Sequence, residues 1–251
     1  MEDIIVGRNA VRSQRPFNKV LVQEGSHGGS LSELLALAEE RQIPVEKVSR
    51  EVLDRLSGGI RHQGVAAQGA PVAFQDLDTV LAQVEKKGEV PLLLLLDELQ
   101  DPQNVGALIR TANAAGAHGV LLPQRRSCPL NAVVAKISAG AVEYVPVIQI
   151  GNIARTMKQL KKRGFWIAGA DMDGESQYFD ANLTGPMVLV VGAEGKGLGR
   201  LVKENCDFIV RIPMLGQVSS LNASVAGGIL LYDIVRQRIL EERKKAVQSK
   251  A

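Results

Sequence analysis

Met187-Val-Leu-Val-Val-Gly-Ala-Glu-Gly-Lys-Gly-Leu-Gly199 joins a continuous apolar run to a glycine-rich turn. The apolar half lacks in–out alternation, so it reads as a strand buried on both faces, as in a parallel sheet. The glycines let backbone N–H groups come close to a ligand and reach dihedrals that other residues avoid. Glu194 is the acidic side chain of the turn. A strand that ends this way is where open α/β sheets hold nucleotides. Two further dense segments look aimed at the same place. They are Asp101-Pro-Gln-Asn-Val-Gly-Ala-Leu-Ile-Arg-Thr111 before it and Ile212-Pro-Met-Leu-Gly-Gln-Val-Ser-Ser-Leu-Asn-Ala-Ser224 after it.

From Pro91 onward strand and helix patterns alternate. Strands are predicted at 92–96, 119–122, 143–148, 165–170, 187–191 and 208–212. Helices are predicted at 104–115, 131–139, 153–163, 198–204 and 221–242, the last with Val225, Ile229, Tyr232, Val235 and Ile239 along one side. This alternation argues for a parallel sheet covered on both faces. Residues before about 74 read as a smaller α/β unit. Its predicted strands are 18–23, 45–48 and 65–74 (interrupted at Gly69), and its helices 31–41, capped by Ser30, and 50–56, stopped by Gly58-Gly59. Residues 75–90 read as a polar linker running into a surface helix. The expected organisation is therefore 1–74, a linker at 75–90, and 91–251.

Hydrophobic residues at 45% against 23% charged suffice for a sizeable core. The net charge of +3 is mild, but Arg155, Lys158, Lys161, Lys162 and Arg163 fall together without an acid, and the tail after Arg236 is also basic. Such faces suit a polyanion, although lysine-rich helix faces are more often simply solvated. Two cysteines, Cys128 and Cys206, without metal-type spacing, argue against a disulfide framework or a metal site and fit a reducing, cytoplasmic setting. No signal peptide is read at the start, and no apolar run is long enough for a membrane span. Tyr144, Phe165 and Trp166 are expected in the core.

The glycine turn taken alone invites a dinucleotide reading. That fingerprint normally opens the first βαβ unit and needs an acid at the end of the next strand; here the next strand ends in Pro213-Met214. Arg110 points away from the apolar stripe of Val105, Leu108, Ile109 and Ala112, and a lone arginine there is usually a solvated one. Its neighbourhood raises its interest, because Asn104 reads as an N-cap at the C-terminal end of a buried strand, and a helix N-terminus can hold an anion. In Ser219-Ser-Leu-Asn-Ala-Ser224, capping explains one polar residue but not the surplus.

Together these residues resemble the SpoU/TrmH group of knotted RNA 2′-O-methyltransferases. The resemblance rests on Asp101-Pro-x-Asn104-x-Gly106-x-x-x-Arg110, Gly192-x-Glu194-Gly195-x-Gly197 and Ile212-Pro-Met-x-Gly-x-x-Ser-Ser220-Leu-Asn222 in that order. Val6-Gly-Arg-Asn-Ala-Val11 and Arg61-His-Gln-Gly-Val65 are similar to the small L30e-like substrate-binding domain of some members. With both parts present, the chain looks more like the large-subunit rRNA guanosine enzymes than the tRNA enzymes. The resemblance implies an α/β-knot (trefoil) domain, a homodimer, no metal, and S-adenosylmethionine held by Gly192, Ile212 and Leu221. It implies Arg110 as the residue that assists proton removal, with Asn104, Glu194, Ser220 and Asn222 positioning it and the substrate. A non-catalytic RNA-binding relative and a nicotinamide-dependent oxidoreductase remain as rivals at this point.

Overall fold

The computed structural model describes residues 3–8, 17–59, 61–69 and 72–248. The chain divides into two compact units, residues 1–73 with 129–144, and residues 74–128 with 145–251. Residues 9–11 of the Val6–Val11 segment and the last three residues of the basic tail lie outside the described residues.

In the first unit, β1 (Asp3–Val6), β2 (Phe17–Gln23), β3 (Val45–Val48) and β4 (Val65–Gly69) form a sheet in the order β1-β4-β2-β3. Strand alternation splits the apolar residues of this sheet between two clusters. Val65, Ala67, Val20 and Val22 pack with Leu31 and Leu34 of α1 (Gly29–Glu40). Ala66 and Leu21 pack with Leu53 of α2 (Arg50–Ser57). Gly58 ends α2 in the left-handed conformation, as its position suggested. Ser30 is not a cap: α1 starts two residues earlier than predicted, with Gly28 at φ 129° in the capping position. The predicted strand at 65–74 stops at Gly69, and Val72–Phe74 are unpaired. Between Pro129 and Tyr144 the chain belongs to this unit; α3 will denote the helix Leu77–Lys87, α4 Pro102–Ala114 and α5 Ala132–Ile137, and α5 packs on β1.

The second unit is built on β5 (Leu92–Leu96), β6 (Gly119–Pro123), β7 (Val147–Ile150), β8 (Trp166–Ala170), β9 (Ser176–Gln177), β10 (Met187–Val191) and β11 (Phe208–Arg211). Their order is β7-β6-β5-β10-β8-β11-β9, and every pairing is parallel. Its helices are α3, α4, α6 (Ile153–Lys162), α7 (Arg200–Asn205) and α8 (Ala223–Gln248). The run read as a linker contributes α3, capped by Asp76, with Val80 and Val84 buried. The strand predicted at 143–148 begins later, because Ala141–Glu143 form a tight 3-10 turn entered through Gly140 at φ 85°.

Register decides where the loops meet. Val191 lies opposite Leu96 on one side and Ala170 on the other, so β5, β8 and β10 end at the same level. The residues that follow them, Asp97, Asp171 and Gly192, therefore emerge side by side at the C-terminal edge, where open sheets bind ligands.

One expectation about the core is corrected. Phe165 is buried, but Tyr144 and Trp166 are exposed. In α8 the apolar stripe through Val225, Tyr232 and Ile239 faces outward, and the buried side is Ala223, Gly227, Leu230, Leu231, Asp233 and Ile234. Small residues and an aspartate hide a packing face from a hydrophobicity reading, yet Gly227 is what the contact with α4 requires: a Cβ there would stand 2.5 Å from Leu108 Cδ2. Replacing Gly227 with Val is expected to destabilise the protein by about 1–3 kcal/mol through overpacking. A thermal melt checks this, and an unchanged Tm would show that α4 and α8 have slack between them.

Candidate active site

α4 begins with Pro102 in its first turn, and Asp101 caps it by accepting hydrogen bonds from the Gln103 and Asn104 N–H groups at 3.1 and 3.4 Å. Asn104 is thus not the cap that the sequence suggested. It lies inside the first turn, 3% exposed, and its side chain is free to turn inward. Its Nδ2 donates to Glu194 Oε2 at 3.3 Å and its Oδ1 accepts from Asn222 Nδ2 at 2.8 Å. Asn222 in turn caps α8, its Oδ1 accepting from the Ser224 N–H at 2.9 Å, the Val225 N–H at 3.3 Å and the Ser224 hydroxyl at 2.6 Å.

This chain of bonds has one polarity. A carboxylate accepts and does not donate, so Asn104 must turn its amide nitrogen to Glu194. That leaves its oxygen for Asn222, whose own oxygen is claimed by the N–H groups opening α8. Both ends therefore fix the amide orientations, and three segments distant in sequence are joined through two asparagines that each bond to two neighbours.

The glycine turn is held from below. Gly195 and Gly197 adopt φ 75° and 65°, and the Gly197 N–H donates to Ala193 O at 2.9 Å. At Gly192 no side chain fits, because a Cβ would collide with the Gly197 carbonyl group. Asp97 Oδ2 accepts from the Gly199 N–H at 2.8 Å, and Asp171 Oδ2 accepts from the Leu198 N–H at 3.1 Å. Lys203 Nζ lies 2.9 Å from Asp171 Oδ1. Burial alone would raise the Asp171 pKa, but the Lys203 ammonium and the Leu198 and Asp173 N–H groups outweigh it and hold the carboxyl below its ordinary value. Asp97 goes the other way: burial, reinforced by Glu98, outweighs the Gly199 N–H and raises its pKa.

Neither aspartate was singled out from the sequence. The available signal was position, since each follows the last apolar residue of a strand.

The turn encloses a cavity of about 230 Å³. Gly192, Ile212 and Leu221, named as cofactor contacts, all line it, as do Glu194, Ser220 and Asp171. Asn104 and Asn222 are connected to this wall through Glu194. Arg110 is not: its side chain is exposed on α4 and makes no hydrogen bond or ion pair among the described residues. Apolar walls with backbone groups at one end suit a ligand with a flat apolar part and a few polar atoms. No cluster of metal-ligating side chains occurs among the described residues.

Comparison with known proteins adds three kinds of likeness. The model of the SpoU rRNA Methylase family matches residues 91–232, and that for RNA 2′-O ribose methyltransferase substrate binding matches residues 4–75. YacO of Bacillus subtilis, which is named with the TrmH family tRNA/rRNA methyltransferases, is 43% identical over 240 residues, covering 94% of this chain and 96% of its own. Among solved structures, the SpoU methyltransferase AviRb from Streptomyces viridochromogenes, in complex with AdoMet, has a TM-score of 0.78 at 27% identity and covers 95% of this chain and 91% of its own. The TrmH/SpoU tRNA modifying enzyme of A. aeolicus has a TM-score of 0.57 at 28% identity and covers 65% of this chain and 86% of its own.

Two outcomes are expected of this geometry. Gly192→Ala should abolish binding of the cavity's ligand, read by calorimetry, because the collision is with backbone; retained affinity would mean that the turn can open. The ionised Asp171 should stabilise the fold above the ordinary carboxylate range, and this stabilisation should fade as pH falls through its lowered pKa. Asp171→Ala should remove that part of the acid dependence in melts recorded against pH, and an identical profile would exclude the tether.

Proposed function

The chain belongs to the SpoU rRNA methylase family, and we propose that it transfers a methyl group from S-adenosylmethionine to the ribose 2′-hydroxyl of a guanosine in large-subunit (23S) rRNA. The observation that carries the chemistry is the joining of Glu194, Asn104 and Asn222 beside the Gly192 cavity. The wall of Val191, Ile212, Met214 and Leu221 suits an adenine ring, and the cramped Gly192 turn leaves backbone groups for its polar edge. When bound, S-adenosylmethionine supplies an electrophilic methyl on a sulfonium.

The chain's own part is alignment, proton removal and exclusion of water. The 2′-oxygen forms its bond to the methyl carbon as the sulfur–carbon bond breaks, and the hydroxyl proton leaves. A guanidinium is normally charged throughout the accessible pH range. Arg110 therefore acts through its charge: it grips the phosphate flanking the target ribose, and that phosphate helps take the proton. The alternative for Arg110 is deprotonation in the bound complex. Glu194, Asn104, Ser220 and Asn222 position the substrate and the turn.

The order β5-β10-β8-β11 supports a trefoil threading of the chain around the glycine turn. A homodimer is supported by α8, where exposed Val225, Tyr232 and Ile239 recur every seven residues and a second copy would cover them. No described helix is long and apolar enough to cross a membrane, and a cytoplasmic setting fits the two free cysteines. The rRNA reading is supported by coverage, since the tRNA modifying enzyme of A. aeolicus matches 65% of this chain. The wording tRNA/rRNA in the name of YacO keeps tRNA as the second reading.

Labelled S-adenosylmethionine offered with unmodified large-subunit rRNA and, separately, with bulk tRNA decides between them. The expected product is 2′-O-methylguanosine in the rRNA. Label in tRNA alone would overturn the substrate, and no transfer to either RNA, free or in assembly intermediates, would overturn the activity. Arg110→Lys should lower the rate at neutral pH, and a changed pH–rate profile would favour deprotonation over phosphate gripping. An unchanged rate would exclude both roles.

A further inference from the structure

The charged side chains that line the cavity are Asp171, Asp173, Glu194, Lys196 and Lys203. All but one are engaged. Lys203 Nζ lies 2.9 Å from Asp171 Oδ1 and 3.4 Å from Asp173 Oδ2, and Glu194 Oε2 accepts from Asn104 at 3.3 Å. Lys196 is the exception: it is exposed, and its side chain makes no hydrogen bond or ion pair among the described residues.

An exposed lysine is ordinarily only solvated, but the backbone under this one is held. Lys196 stands between Gly195 and Gly197, both in the left-handed region at φ 75° and 65°. The Gly197 N–H closes the turn onto Ala193 O at 2.9 Å, and beyond it Leu198 and Gly199 are tied to Asp171 and Asp97. Gly195 is required for its dihedral and not for space, because a Cβ there would meet nothing within 4 Å. The tip of the turn is thus fixed in the wall of the cavity, and the lysine side chain has room to follow a ligand.

The charges of the cavity complement those of the cofactor. S-adenosylmethionine carries a sulfonium, an ammonium and a single carboxylate. The carboxylates of the wall suit the cationic groups, whereas the carboxylate of the cofactor needs a cation, and Lys203 is taken by two aspartates. We propose that Lys196 binds the carboxylate of the methionine part of S-adenosylmethionine. The proposal rests on the methyltransferase reading above and adds to it the residue that holds the cofactor's charged end. Gly192, Ile212 and Leu221 line the part of the cavity that suits the adenosine. A lysine ammonium on its flexible stem acts as a point charge, so it can reach an anion at the cavity mouth without fixing the orientation of the adenine. Adenine nucleosides without the carboxylate would meet the same apolar wall but lose this contact.

Calorimetry on the full-length protein tests this with S-adenosylmethionine and its decarboxylated analogue, which keeps the adenosine, the sulfonium and the amine. The proteins are wild type, Lys196→Gln and the charge-retaining Lys196→Arg, with folding checked by thermal melts. A charge-assisted contact at an exposed site should contribute about three- to tenfold in affinity. Wild type should therefore prefer S-adenosylmethionine over the analogue by about that factor. Lys196→Gln should lose the preference, binding S-adenosylmethionine more weakly and the analogue as before, and Lys196→Arg should keep it. If Lys196→Gln weakens both ligands alike, or neither, the contact is overturned and the methyltransferase reading stands. A loss confined to RNA binding, with a shallower salt dependence, would assign Lys196 to a substrate phosphate and overturn the proposal in another way. Failure of the wild type to bind S-adenosylmethionine overturns the cofactor reading and the proposal with it.

Discussion

The Asn104 side chain is hydrogen-bonded at both ends, to Glu194 in the glycine turn and to Asn222 at the start of α8. Asn104 is buried, and a buried polar group left without partners costs about 1–3 kcal/mol, so its amide depends on both of its exposed neighbours, Glu194 and Asn222. Their segments are set by other forces: α4 by its Asp101 cap, the turn by Gly192 and the two aspartates, α8 by packing through Gly227. The side-chain bonds then register these pieces against each other. This is the constraint on which the cavity's shape depends, since Glu194 is part of its wall and Asn222 neighbours Leu221 and Ser220.

The parallel sheet makes such a meeting possible. Because β5, β8 and β10 end in register, their following loops emerge together, and Asp97, Asp171 and Gly192 need no long excursion to reach a common place. The two aspartates are held differently. Asp171 is stabilised in its ionised form by Lys203 and backbone N–H groups, whereas Asp97 is driven by burial towards the neutral form. The former gives a charge-assisted anchor to the Leu198 N–H; the latter ties the far end of the same turn at Gly199.

Much of this was legible in the sequence. Apolar runs located the buried strands, and the density of polar and glycine residues in 101–111, 192–199 and 212–224 marked segments that meet at the cavity. Asn104 was noticed for the wrong reason. Asp101, Pro102 and Asn104 are all residues that open helices, and local preference cannot say which takes the cap when tertiary bonds compete for one of them. Asp97 and Asp171 passed unremarked because a single aspartate after a strand is common, and only the register of neighbouring strands shows that both face the turn. The packing side of α8 did not stand out in the sequence because it carries Ala223, Gly227 and Asp233, which hydrophobicity undervalues. The first unit likewise showed its two matching segments in the sequence, but not that they touch, the Gly7 N–H donating to Val65 O at 3.1 Å.

A double-mutant cycle across Asn104 and Asn222 tests the central claim most directly. Turnover and S-adenosylmethionine affinity would be measured for Asn104→Ala, Asn222→Ala and the double variant, with folding followed by thermal melts. If the bonds act as one unit, each single change removes most of the effect and the double variant is little worse than the more damaging single one. Strictly additive losses would contradict the account, because they would mean that the two asparagines serve the site independently.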